Sequence, residues 1–233
     1  MTLGLFGKHP SFGDFVSAGL VDGVEARLQP WLDATLTGAR DQLGAEWDRV
    51  YDSTAPLRFW IGPEVFSTRA FDQPAALSGV FFAFRDRVGR RYPLVVMRVG
   101  QTALPPVIDG DQGFYDAVEA AVMQEADPAA GAAGLLTRIG RHVPPDPTEG
   151  YDLTGTLWAT NAGAGLPRLL ADVARADHMR AVSARSYWWA PERNLRAAAF
   201  LSENGAPNAD SLIWLFRGAI TEAEPIRPVE DHL

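Results

Sequence analysis

At 233 residues, 47% of them hydrophobic, the chain has the length for one well-buried core and a composition ordinary for a globular protein. A formal net charge of -8 argues against nucleic acid and anionic lipid as general partners, and the absence of cysteine excludes disulfides and thiolate chemistry. No run approaches the roughly 18 apolar residues of a membrane span and no signal-peptide pattern opens the chain, so a cytoplasmic protein is expected.

The opening segment, Gly4-Leu5-Phe6-Gly7-Lys8-His9-Pro10-Ser11-Phe12-Gly13-Asp14-Phe15, reads as a strand over Thr2–Phe6 that runs into a shaped loop. Pro10 fixes its own φ and biases His9 toward extended geometry, while glycine permits angles that a side chain would forbid. Asp14 is placed to cap a short helical turn through Phe15, Val16 and Ser17. Lys8, His9 and Asp14 could support acid–base chemistry, but short spacing alone does not establish the geometry this needs, and a structural loop is the simpler reading.

Asp22 and Glu25 then stand at capping-box spacing, and Val24, Leu28, Trp31, Leu32, Leu36, Ala39 and Leu43 recur at near-helical intervals. One or two helices are expected there, with Pro30 either a kink or part of the first turn of a second helix. Leu57–Ile61 is apolar and aromatic enough for a strand. Leu77–Phe84 and Tyr92–Val99 predict two more, joined as a hairpin by a longer connection. Apolar residues on both faces of these strands suit a sheet covered on both sides.

The connection itself carries four arginines against one aspartate over Arg85–Arg91, a local balance of +3 in an acidic protein. Such a turn can orient a partner or bind an anion, and it can equally be solvated or paired with nearby carboxylates.

Helices are predicted over Gly110–Glu125 and Ala132–Arg141, before Pro144-Pro145-Asp146-Pro147 interrupts the chain without dividing the domain. Beyond it the pattern predicts a strand over Leu153–Ala159, a helix over Pro167–Ala176, strands over Arg185–Trp189 and Ala197–Leu201, and a helix over Ala209–Phe216. Adjacent Trp188 and Trp189 should point to opposite faces of their strand, as core residues or with one as a partner-binding anchor. Four scattered histidines, His9, His142, His178 and His232, show no metal-ligand spacing, and neither a metal nor a cofactor is expected.

GKHPSFGDF near the N-terminus, the Trp31-Leu32 helix, DRVGRRYPL over Asp86–Leu94 and Tyr187-Trp188-Trp189 together resemble the TagF (ImpM) family of type VI secretion system-associated proteins. The family carries a Pro-Ser pair before the second block, where this chain has Ala83-Phe84-Arg85-Asp86. The resemblance implies an α/β layered sandwich whose central mixed or antiparallel sheet is covered by helices on both faces. A single domain over residues 1–233 is expected, with 218–233 as a flexible C-terminal tail.

The resemblance also implies a stand-alone cytoplasmic, post-translational repressor of type VI secretion, without the phosphatase domain fused to some relatives. It would bind a secretion component, a forkhead-associated scaffold protein or a related component, in the threonine-phosphorylation circuit. No catalytic residue is needed for such a role. The recognition candidates, or alternatively the residues that fix the loops, are Lys8, His9 and Asp14 in the first loop with Arg85, Asp86, Arg87, Arg90 and Arg91 in the second. Both loops are expected at one end of the sheet. A phosphate- or nucleotide-sensing module is the alternative function; a hydrolase would have to assemble its site without GxSxG, HExxH or a Walker loop.

Overall fold

The computed structural model describes residues 2–21, 23–70, 73–100, 104–124, 126–145, 166–170, 173, 178, 181–193 and 196–218. The strands are β1 (Thr2–Gly7), β2 (Val16–Ala18), β3 (Leu57–Ile61), β4 (Arg69–Ala70), β5 (Gln73–Pro74), β6 (Ala76–Phe82), β7 (Leu94–Gly100), β8 (Arg185–Ala190) and β9 (Ala199–Asn204). The helices are α1 (Val24–Leu43), α2 (Trp47–Asp52), α3 (Gly113–Val122), α4 (Gly131–His142) and α5 (Ala209–Arg217). Residues 166–170 are also helical, whereas the rest of the expected 167–176 helix falls largely, and the 153–159 strand wholly, outside the described residues.

Among the described residues seven strands form one sheet in the order β2-β1-β7-β6-β3-β8-β9, and every neighbouring pair is antiparallel. The expected hairpin is β6–β7, which begins its ladder at Phe82 opposite Leu94. Successive residues of a strand face opposite ways, and this alternation partitions the core into two clusters. Leu57, Phe59, Ile61, Phe81, Met97 and Trp188 pack with residues of α1, α2 and α5. Trp60, Val80, Phe82, Val96, Tyr187 and Trp189 pack with residues of α3 and α4.

Two sequence expectations fail locally. The segment after Asp14 is not a helical turn: Val16–Ala18 pairs with β1 as an edge strand, Ser17 lying opposite Phe6. Cross-strand pairing satisfies its backbone groups, and the Ser17 hydroxyl donates to Glu25 Oε2 at 2.6 Å. Helix α1 runs unbroken through Pro30, and its N-cap is Gly23 in the left-handed region, so no capping box forms. Pro30 is solvent-exposed, while Val24, Leu28, Leu32, Thr35, Leu36, Ala39 and Leu43 make a continuous buried stripe. The burial of that stripe outweighs the roughly 3 kcal/mol that an interior proline costs.

The central strand β3 also carries a group that hydrophobic patterning passed over. Arg58 is buried, and its guanidinium donates to Glu119 Oε1 at 2.7 Å, Gln112 Oε1 at 2.8 Å and Asp116 Oδ1 at 2.5 Å. Trp189 Nε1 donates to the same Gln112 oxygen at 2.9 Å, and Arg193 pairs with the other oxygen of Glu119. The network fastens α3 to the middle of the sheet. Arg58→Ala, which leaves Glu119 buried with half its partners gone, should cost about 3–5 kcal/mol in urea unfolding followed by tryptophan fluorescence. Arg58→Met combined with Glu119→Leu should recover part of that loss, because no buried charge is then left without its partner.

Candidate functional site

Two loops meet at the end of the sheet where β1 finishes and β7 begins. Gly7 has φ 121°, and a Cβ built there would stand 1.9 Å from the Pro93 carbonyl oxygen, so only glycine lets the chain pass. The Lys8 amide then donates to that same oxygen at 3.1 Å. Across the hairpin, the Tyr92 amide donates to Phe84 O at 3.2 Å, Arg85 and Arg91 form an isolated antiparallel bridge, and the Asp86 amide donates to Arg90 O at 3.0 Å. Gly89, with φ 88°, closes the turn by donating to Asp86 O at 2.9 Å.

Asp86 is the hub of this junction. Its side chain is 0% exposed. Oδ1 accepts from the Val88 amide at 3.0 Å and the Arg90 amide at 2.8 Å, while Oδ2 accepts from Arg90 Nε at 2.6 Å and faces Lys8 Nζ at 3.2 Å. The two loops are also joined directly. The Arg87 amide donates to Phe12 O at 2.9 Å, and Arg90 Nη2 donates to Gly13 O at 2.5 Å and lies 3.5 Å from Asp14 Oδ1. Desolvation opposes ionisation of Asp86, but the Arg90 amide, the Arg90 guanidinium and Lys8 outweigh it and hold the carboxyl well below the usual range.

The remaining arginines reach sideways to α2. Arg91 donates to Asp52 through Nε at 2.9 Å and Nη2 at 2.8 Å and pairs with Asp48 at 2.9 Å. Arg85 makes a second forked pair with Asp52. Hydrogen bonds from Arg91 foremost, against a smaller desolvation, lower the pKa of Asp52. Tyr51 donates its hydroxyl to Phe84 O at 3.2 Å, and Tyr92 donates to Asp33 Oδ1 at 2.8 Å, which ties the turn to both α2 and α1.

His9 lies inside this junction. Its ring packs edge-on to Phe84 with centroids 5.5 Å apart, and Nδ1 accepts from the Ser11 amide at 3.1 Å. The neutral ring therefore carries its proton on Nε2. Burial lowers its pKa; the Val122 backbone opposes that shift and the charge of Arg138 assists it. His9 is 4% exposed and packs against Phe12 and Phe84. Trp188 and Trp189, read as core residues or with one as a partner-binding anchor, are 1% and 8% exposed and lie in opposite core clusters.

The structure thus brings Lys8, Asp14, Asp86 and Arg90 together and sends Arg85 and Arg91 to α2. Arg87 alone of the four turn arginines is exposed with no side-chain ion pair or hydrogen bond among the described residues. Next to it Val88 is 66% exposed. The carboxylates that neutralise the turn, Asp48 and Asp52, were not among the sequence candidates, although their four-residue spacing places them on one helix face. Among the described residues no group of three or more His, Asp or Glu is arranged to hold a metal ion, and no helix is long and apolar enough to cross a membrane. Chemically the arrangement is a cross-linked turn that displays Arg87 and Val88.

The titrations have a defined sign. His9 has a depressed native pKa, so it contributes stability above the unfolded value near 6.5 that is lost as pH falls through the native one. Asp86 and Asp52 contribute stability above their unfolded values near 4 that is lost on further acidification. Thermal melts across pH should therefore show one decline in Tm beginning below about pH 6.5 and a second below about pH 4. His9→Phe should remove the first and Asp86→Asn should lower Tm near neutral pH and shrink the second. Gly7→Ala should prevent or severely impair folding, read by the yield and melting of soluble protein.

The family model for the TagF N-terminal domain, type VI secretion system-associated, matches residues 4–141, a span that holds both loops, α1, α2 and Arg58 with its partners on α3. Among solved structures, the crystal structure of PA0076 from Pseudomonas aeruginosa PAO1 is similar with a TM-score of 0.71 and 27% identity, covering 97% of this chain and 98% of that one. No curated protein matched the chain. With more than half of its length matched by that model, the chain belongs to the TagF family of type VI secretion system-associated proteins.

Proposed function

We propose that this protein is a post-translational negative regulator of a type VI secretion system that works in the cytoplasm by binding, without catalysis. Its partner in this reading is a forkhead-associated scaffold or a related component of the threonine-phosphorylation circuit. The observation that carries the reading is the TagF N-terminal match over residues 4–141. We read the fold as a layered α/β sandwich with helices against both faces of the sheet, a rigid support for the two loops.

The geometry favours contact over chemistry at the loop junction. Lys8, Asp86, Arg85, Arg90 and Arg91 are engaged with one another or with α2, which holds the turn in one shape before any partner arrives. Preorganisation of this kind reduces the ordering cost of association. Arg87 and Val88 are the side chains of the turn that are exposed and unengaged among the described residues, and so the ones offered to a partner. A phosphate or nucleotide sensor is less well supported, because three of the four turn arginines already have carboxylate partners.

The test compares two charge reversals in an affinity pull-down from the native cell, with isothermal titration against the recovered secretion component. Arg87→Glu should leave Tm unchanged and weaken binding by roughly tenfold, as expected for one lost interfacial charge contact. Arg90→Glu sets a carboxylate against Asp86 and should lower Tm together with binding. Wild-type affinity in Arg87→Glu would move the interface away from the turn, and failure to recover any secretion component would sink the binding mechanism.

A further inference from the structure

Beside the loop junction, α1, α2 and the second loop enclose an open cleft of about 480 Å³. Its floor is apolar, built from Leu36 of α1 with Trp47 and Tyr51 of α2, all of them buried side chains of the core. Its rim is charged. Asp33 and Asp48 on that rim are already engaged, by the Tyr92 hydroxyl at 2.8 Å and by Arg91 at 2.9 Å. Arg40, on the last turn of α1, is exposed and has no side-chain ion pair or hydrogen bond among the described residues. Arg90 borders the same cleft with its guanidinium half-exposed.

We propose that this cleft is a docking site for a short acidic segment of the partner protein, with a carboxylate on Arg40 and a neighbouring apolar side chain over the Leu36–Trp47 floor. This rests on the reading of the protein as a binding regulator, and it specifies what that partner must present. Charge complementarity selects the occupant. The lining has three arginines against two aspartates, and the excess cation is the one without a partner. A dense polyphosphate would meet Asp33 and Asp48 at close range, whereas a peptide can aim a single carboxylate at Arg40 and offer backbone and apolar groups elsewhere. The volume lies within the range of roughly 300–1,000 Å³ typical of ligand clefts, room for a few side chains and not for a helix.

Because the chain has no cysteine, Thr37→Cys on the cleft rim and Val88→Cys on the turn each create one site for a benzophenone photo-crosslinker in the full chain. Each labelled protein is irradiated in native cell extract, and the captured segment is mapped by mass spectrometry and synthesised. The proposal expects capture from position 37 of an acidic segment of a secretion component. As a free peptide it should bind wild type and lose roughly tenfold in affinity against Arg40→Glu, a variant that melts like wild type. The same loss should follow when the carboxylates of the peptide are replaced by amides.

Equal binding to Arg40→Glu would overturn the proposal, as would capture from position 37 of a segment that carries no carboxylate side chain. Capture from position 88 but not from 37 would remove the cleft and leave the regulator reading standing. Capture of no secretion component from either position would remove both.

Discussion

A carboxylate withdrawn from water must be surrounded by donors if it is to stay charged, and Asp86 meets that requirement with two backbone amides, one guanidinium and one ammonium group. Those donors come from two loops far apart in the chain, so satisfying one side chain closes one end of the sheet. The hairpin turn takes its shape around Oδ1, and the opening loop is fastened through Lys8 to Oδ2. Gly7 makes the approach feasible by leaving room for the Pro93 carbonyl. Removing the charge of Asp86 would therefore disturb more than one contact, because the donors around it would lose their common acceptor.

The same constraint changes the meaning of the basic turn. Read along the chain, Arg85–Arg91 is a concentration of positive charge. In the fold, Asp52 and Asp48 approach from α2, Asp86 sits within the turn and Asp14 approaches from the first loop. The local field is thus largely neutralised, and what distinguishes the surface is which cations remain outward. Arg87 on the turn and Arg40 on α1, at the rim of the cleft, are such cations. On the binding role proposed above, this arrangement would recognise a partner through a few well-placed charges on a stiff scaffold, a mode that favours specificity over raw affinity.

Much of the architecture was legible because periodicity reports burial. The limits of β3 match the apolar run Leu57–Ile61, β6 and β7 are offset from their predicted bounds by one or two residues at each end, and α3, α4 and α5 fall inside or close to their predicted spans. The opposite placement of Trp188 and Trp189 follows from strand geometry alone, and each is buried in a different core cluster. Legibility failed where a local rule competed with a tertiary one. Asp14 looked like a cap because its neighbours in sequence allowed it, but β1 offered Val16–Ala18 a ladder of hydrogen bonds. Pro30 left one helix or two open, and the single helix is settled by a buried stripe that packs on side chains of the sheet and α5. Of the candidate site, the Asp86 and Arg90 pairing was within reach of sequence reasoning. The roles of Asp52, Asp48 and Asp33 were not, since ion pairing between distant segments leaves no periodic trace.

The sequence by itself determined the kinds of the longer elements, the positions of the two special loops and the family. Each depends on local information: the spacing of apolar residues, the angular freedom of glycine, and a motif read in order. Tertiary structure alone decided which charges cancel, which aromatic rings are hidden and which arginines face solvent. Those outcomes depend on distances between groups remote in the chain, and an ion pair or a buried ring exists only once the segments that form it have been brought within a few ångströms of each other. Arg58 is the plainest case: it is one charged residue in an apolar strand along the chain, and in three dimensions it holds α3 to the centre of the sheet.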